Sequence, residues 1–229
     1  MLNFIKVLLK DTGADVEIIS FKTLRKWVGI LGVALPFVLI AGSMIIANCP
    51  NIQPSISHYY YSNMKVFFVG ILCAVSFFLI TYSGYSRLDN ILTNVAAVLC
   101  LSVAVFPTDL TQETDWLKKT NTFIDADLHT LHFACAGLFF LILAIISIWL
   151  FTRSNKPKGQ LRYEKKMRNK IYRFCGWTMI LSELAIGVRA AFFGDDIHNP
   201  TFTFWFETLM LVVFGISWLT KAEVISGDK

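Results

Sequence analysis

The sequence predicts an all-α, polytopic membrane protein, a bundle of six transmembrane helices with both termini on the cytoplasmic side (N-in/C-in). Three observations carry this. Hydrophobic residues make up 55% of the 229-residue chain and charged ones 16%, against about 45–50% and about 25% in soluble domains; the mean hydropathy is +0.57. Six apolar runs meet or approach the roughly 20 helical residues that cross a hydrocarbon core about 30 Å thick. Basic residues also crowd one side of those runs, and that asymmetry sets orientation.

Three regions follow from this: a cytoplasmic or interfacial segment over 1–26, a membrane domain over 27–221 and a cytoplasmic tail over 222–229. The apolar stretch Met1 to Lys10 is broken by Lys6 and is too short for a signal-peptide core. It is expected to stay on the chain and to lie along the inner surface as an amphipathic stretch. The first span, 27–47, follows Lys22, Arg25 and Lys26 and ends at Ala47-Asn48-Cys49, which lacks the small residue that a lipoprotein cleavage site places before its cysteine. The second, 66–84, is preceded by a polar turn. The third, 90–106, is stopped by Pro107, because proline disfavours helical geometry in the residue before it. The fourth covers 129–151, the fifth 173–193 and the sixth 203–220, with a polybasic loop over 152–172 between the fourth and fifth.

With the N-terminus inside, 17 of the 21 basic residues face the cytoplasm, including Arg153, Lys165, Arg168 and Lys221. Lys65, Lys118, Lys119 and Arg189 are the rest. Loop 152–172 reads as the positive-inside signal, and its charge also suits anionic lipid head groups. The net charge of +5 has this topological origin, so nucleic acid is not an expected partner. The five cysteines show no CxxC or other ligand spacing, and those inside apolar runs read as small buried hydrophobes.

Polar residues with chemistry gather on the outer side. All four histidines, His58, His129, His132 and His198, fall there, together with Ser55, Ser57, Tyr59, Tyr60, Tyr61, Asn63, Asp109, Asp125, Asp127, Arg189 and Glu207. A polar pocket opening outward is the expectation, lined by Ser57, His58, Tyr60, Asp109, His129, His132, Arg189 and Glu207. His129 and His132, spaced i, i+3, share one face at the start of the fourth helix and could hold zinc with Asp109, Glu207 or His58. The same rings also serve as interfacial side chains bonded to loop carbonyls. Glu207 would be costly in hydrocarbon unless partnered; it reads either as an ion pair with Arg189 that fixes packing or as a metal ligand or general base. Glu183, deeper in the fifth helix, reads as a hydrogen-bonding group or as a proton relay. The segment Pro54 to Asn63 suits head-group contacts or a re-entrant turn lining the pocket.

Ser55-Ile-Ser57-x-Tyr59-Tyr60 with Phe68-Val-Gly70, Tyr82-x-Gly84-Tyr85, Phe106-Pro-Thr108, Leu131-His132-Phe133 and Phe214-Gly-x-Ser-Trp218 resembles small uncharacterised bacterial six-helix membrane proteins. More distantly the chain is similar to the DRAM and Frag families, which have a polar Ile-Ser element before helix two and a histidine opening helix four. The resemblance implies a six-helix fold in the bacterial inner (cytoplasmic) membrane, with lipid handling in some relatives. A second comparison, with intramembrane metal hydrolases of the ceramidase and adiponectin-receptor type, fails on motif: the chain lacks HxxxH in its last helix and SxxxH in its second.

Three functions follow from these residues. A lipid-associated protein would bind a head group or small polar ligand in the outer pocket, with membrane lipids as partners and Arg189 as the anion contact. A zinc-dependent lipid hydrolase would use His129, His132 and Asp109 or Glu207 to activate water. A proton-coupled transporter would rely on Glu183.

Overall fold

The computed structural model describes residues 21–46, 49, 51–82, 86–110, 128–154, 162–193 and 200–225. Among them the regular structure is helical: α1 (Phe21–Ile46), a 3-10 turn (Ile56–Tyr61), α2 (Lys65–Thr81), α3 (Arg87–Val105), α4 (His129–Ile145) running into a π-helical turn (Ile146–Leu150), α5 (Tyr163–Phe192) and α6 (Phe202–Lys221). Five of these helices are long and apolar enough to cross a membrane, as in a multi-pass membrane protein; α2 is apolar but shorter, at 17 residues. The first ten residues, Asp125, Asp127, His198, part of the polybasic loop and the tail beyond 225 lie outside the described residues.

Successive helices pack side by side and α6 closes the ring against α1. Their directions alternate, so the starts of α1, α3 and α5 meet the ends of α2, α4 and α6 at one end of the bundle. This basic end carries Arg25, Arg153, Lys165, Arg168 and Lys221. The opposite end carries the 3-10 turn and is called the turn end. Large apolar side chains such as Phe37, Phe77, Val98, Leu138 and Leu181 remain exposed on the ring's exterior. A lipid-facing surface needs this, because burying them gains nothing where the solvent is hydrocarbon.

Association then rests on close backbone approach and interhelical polar contacts. On the α1–α6 seam a Cβ added at Gly215 would stand 2.6 Å from the Gly29 carbonyl and 2.4 Å from Val33 Cγ2, so only a residue without a side chain fits. Ser76 Oγ donates to the Ala97 carbonyl at 2.7 Å, joining α2 to α3. Ser147 joins three helices, donating to the Tyr172 carbonyl at 3.0 Å with its hydroxyl 2.6 Å from that of Ser217. Pro36 sits inside α1 without ending it, as transmembrane helices allow when neighbours satisfy the freed carbonyl.

One boundary departs from expectation and another meets it. The fifth helix begins at Tyr163 rather than 173 and runs for 30 residues, about 45 Å at 1.5 Å per residue. That exceeds an apolar core of about 30 Å, so its first turns, with Lys165, Lys166, Arg168 and Lys170, are helical and not loop. The third helix ends at Val105, one residue before its Phe106 cap and two before Pro107, which agrees with proline as the stop. It starts with Ser86, whose hydroxyl accepts from the Asp89 amide at 3.4 Å, a standard N-cap bond.

Candidate functional site

Most of the predicted polar residues converge at the turn end, and the 3-10 turn is what gathers them. Ser55 precedes the turn, and Ile56, Ser57, Tyr59, Tyr60 and Tyr61 are buried in it. The turn therefore folds inward among the helix ends. Three long-range bonds hold it. The Phe204 amide donates to the Pro54 carbonyl at 3.0 Å, the Ile56 amide donates to Glu207 Oε2 at 2.6 Å, and the Tyr61 hydroxyl donates to the Thr108 carbonyl at 2.6 Å. Burial pushes the Tyr61 phenol up to about 12, with Tyr60 and Asp109 adding to the shift, so it remains a donor at any physiological pH.

His132, in the first turn of α4, is 2% exposed. Its Nδ1 lies 2.7 Å from the Phe106 carbonyl and its Nε2 2.9 Å from Ser57 Oγ. A carbonyl only accepts, so Nδ1 carries the proton; in the neutral ring Nε2 then accepts from the Ser57 hydroxyl. A second pair lies beside it, Ser55 Oγ and His58 Nδ1 at 2.6 Å. Burial first and His132 second bring the His58 imidazole from 6.5 down to about 4, against the opposing pull of Asp109.

The other expected residues are placed differently. His129 is half-buried and packs edge-on against Phe133, with ring centroids 4.7 Å apart. Tyr60 lies beneath the Lys65 ammonium, 4.0 Å from its ring centroid. Asp109 is exposed. The Arg189 guanidinium stands over the Phe202 ring at 4.7 Å, while Glu207 takes the Ile56 amide. Glu183 faces α4, where a Cβ on Gly137 would come within 2.9 Å of its Oε1.

The zinc site does not assemble. Among the described residues no group of three or more His, Cys, Asp or Glu is arranged to hold a metal ion. The reason for His132 is direct: both ring nitrogens already have protein partners, so no lone pair points at a shared centre with His129, Asp109 and Glu207. The i, i+3 spacing places the two histidines near one another on the helix, and both rings pack edge-on against Phe133.

Sequence reasoning missed the Ser55–His58 pair, although its i, i+3 spacing within a turn was readable. It also missed the role of the Phe106 and Thr108 carbonyls, which carry no side-chain signal. Compared with protein-family models, curated proteins and solved structures, the chain matches none of them. Function is therefore read from the geometry of its own residues.

Proposed function

We propose that this chain is a six-span protein of the bacterial inner membrane, with both termini in the cytoplasm, and that its turn end faces outward and binds a lipid head group or a small polar ligand bearing a cation. The α2 helix, with 17 residues, spans about 26 Å; mild thinning of the bilayer accommodates that length. The gathering of cations at the opposite end supports the orientation.

Glu207 carries the ligand reading. Its Oε2 holds the Ile56 amide, while among the described residues Oε1 accepts no hydrogen bond. A half-buried carboxylate with an oxygen to spare suits an ammonium group. Exposed Asp109 adds negative charge nearby, and Arg189 on the adjoining helix would take a head-group phosphate. Ser57, His58, Tyr60, His129 and His132 shape and support the wall. The test is native mass spectrometry of the full chain with phosphatidylethanolamine. Glu207→Gln is expected to reduce occupancy about tenfold, the scale of one charge-assisted hydrogen bond; unchanged occupancy would remove the reading.

The Ser57–His132 pair favours a second reading, hydrolysis of a lipid ester without metal. Ser57 Oγ would attack the ester carbonyl as His132 Nε2 takes its proton and passes it to the leaving alcohol. Water, deprotonated by the same nitrogen, would next cleave the acyl-serine ester to free the fatty acid and restore the Ser57 hydroxyl. Ser57→Ala would then abolish release of fatty acid from lipid supplied to the purified protein. Equal release by wild type and variant would eliminate it.

A further inference from the structure

The basic end holds a cavity of about 480 Å³, lined among others by Arg25, Arg153, Lys165, Arg168, Lys221 and Glu223. Five cations thus face one carboxylate. Among the described residues two nearby acids are already engaged, Glu223 by Lys22 and Asp89 by Arg153 at 3.3 Å. The cationic heads rest largely on aromatic faces. Arg25 lies 5.1 Å from the Tyr82 ring centroid, Lys221 lies 5.2 Å from Phe151 and Lys165 lies 5.8 Å from Tyr172. Those rings form one cluster, with Phe151 packed on Tyr172 and Trp218, and Trp218 on Tyr82. A ring fixes the position of a cation without cancelling its charge. Lys165 Nζ donates to the Phe151 carbonyl at 2.9 Å, which positions it in the same way. Arg25 Nε is buried and has no hydrogen-bond partner. Like charges assembled around a partly enclosed cavity repel one another, and an anion relieves that repulsion.

A second cavity, of about 490 Å³, adjoins the first through Arg153, which lines both. Its other walls are apolar: Leu88 and Leu92 on α3, with Ile145, Trp149 and Leu150 on α4. Leu88 and Trp149 are exposed on the bundle exterior, where acyl chains would surround them. The π-helical turn over Ile146–Leu150 forms this wall, with the Phe151 amide reaching back to the Ile146 carbonyl at 3.0 Å. Such turns concentrate at functional sites.

We propose that the basic end binds an anionic glycerophospholipid, with the phosphate diester in the cationic cavity, one acyl chain in the α3–α4 groove and Arg153 at the junction. A free phosphate or phosphorylated metabolite would use the first cavity alone. The apolar groove joined to it favours the lipid. This site is separate from the turn-end cluster and does not depend on the function proposed for it.

The experiment measures binding of phosphatidylglycerol, phosphatidylcholine and inorganic phosphate to the full-length protein in detergent, by native mass spectrometry and calorimetry. Phosphatidylglycerol should bind about tenfold tighter than phosphatidylcholine, whose head group adds a cation that the cavity repels. The double variant Arg25→Gln/Lys165→Gln should lose tenfold or more in phosphatidylglycerol affinity. Trp149→Ala, at an exposed position, should weaken phosphatidylglycerol several-fold and leave inorganic phosphate unchanged. No preference for phosphatidylglycerol, or full affinity in the double variant, would overturn the site. Phosphatidylglycerol binding indifferent to Trp149→Ala and displaced by inorganic phosphate would overturn the lipid assignment and leave a phosphate site.

Discussion

At the turn end, polar side chains are satisfied by other polar groups: His132 by a carbonyl and a serine, Glu207 by an amide, Tyr61 by a carbonyl. At the basic end, Arg25 rests against a ring with its Nε unpartnered, and Lys165 against a ring and one carbonyl, both facing open space. The first arrangement is a closed network in which loss of one member orphans another. The second is a set of parallel cations in which loss of one relieves its neighbours. The turn-end network thus fixes the backbone around the one Glu207 oxygen that it leaves over, whereas the basic end presents its charges to open space.

The contrast should be sharpest when one member of each end is truncated. His132→Ala leaves the Phe106 carbonyl and the Ser57 hydroxyl without partners and should cost about 2–4 kcal/mol. Arg25→Gln, which gives up a cation–ring contact but also a repulsion, should stay within about 1 kcal/mol of wild type. Unfolding midpoints in detergent measure both, and equal losses would dissolve the distinction between the ends.

The turn end should also respond to acid. The His58 imidazole is held from 6.5 down to about 4, by burial first and by His132 second, against the pull of Asp109. The folded protein therefore takes up this proton less readily than the unfolded chain. Its stability is complete above pH 6.5 and is lost progressively as pH falls from there toward 4. The melting temperature should drop between pH 7 and pH 5, and His58→Gln should reduce that drop. A drop of the same size in the variant would place the sensitivity elsewhere.

Tyr61→Phe should give the smallest effect, about 0.5–1.5 kcal/mol, since it removes one donor while the ring stays packed. The same midpoint assay reads it. A loss as large as that of His132→Ala would mean that the turn hangs on this bond and not on the histidine.

Five helices were legible because their apolar runs are span-sized, and α2 as a shorter apolar run; the charge asymmetry was legible because Lys and Arg need no partner to be counted. The start of α5 was not, since Tyr163 to Lys170 is helical but charged, and apolar runs locate the membrane part of a helix only. At the turn end the participants His132, Ser57, His58 and Glu207 were readable. Their pairings were not. Glu207 sits within reach of Arg189 by depth alone, yet a backbone amide 151 positions away in sequence takes its oxygen; only the inward fold of segment 54–63 brings that amide there. The basic residues of the cavity come from α1, α5, α6 and the end of α4, and a linear sequence does not show that they converge.

The π-helical turn at the end of α4 adds a residue to one turn of the ladder. Each residue advances an α-helix by about 100°, so what lies beyond the turn is rotated by roughly that amount from where an uninterrupted helix would point it. Upstream, His132 keeps its aim at Ser57; downstream, Arg153 is aimed at Asp89 and the junction of the two cavities. One helix thus serves two azimuths, and because the turn already absorbs its extra residue, inserting one more between Ile146 and Leu150 would swing Arg153 out of register while leaving the histidine in place.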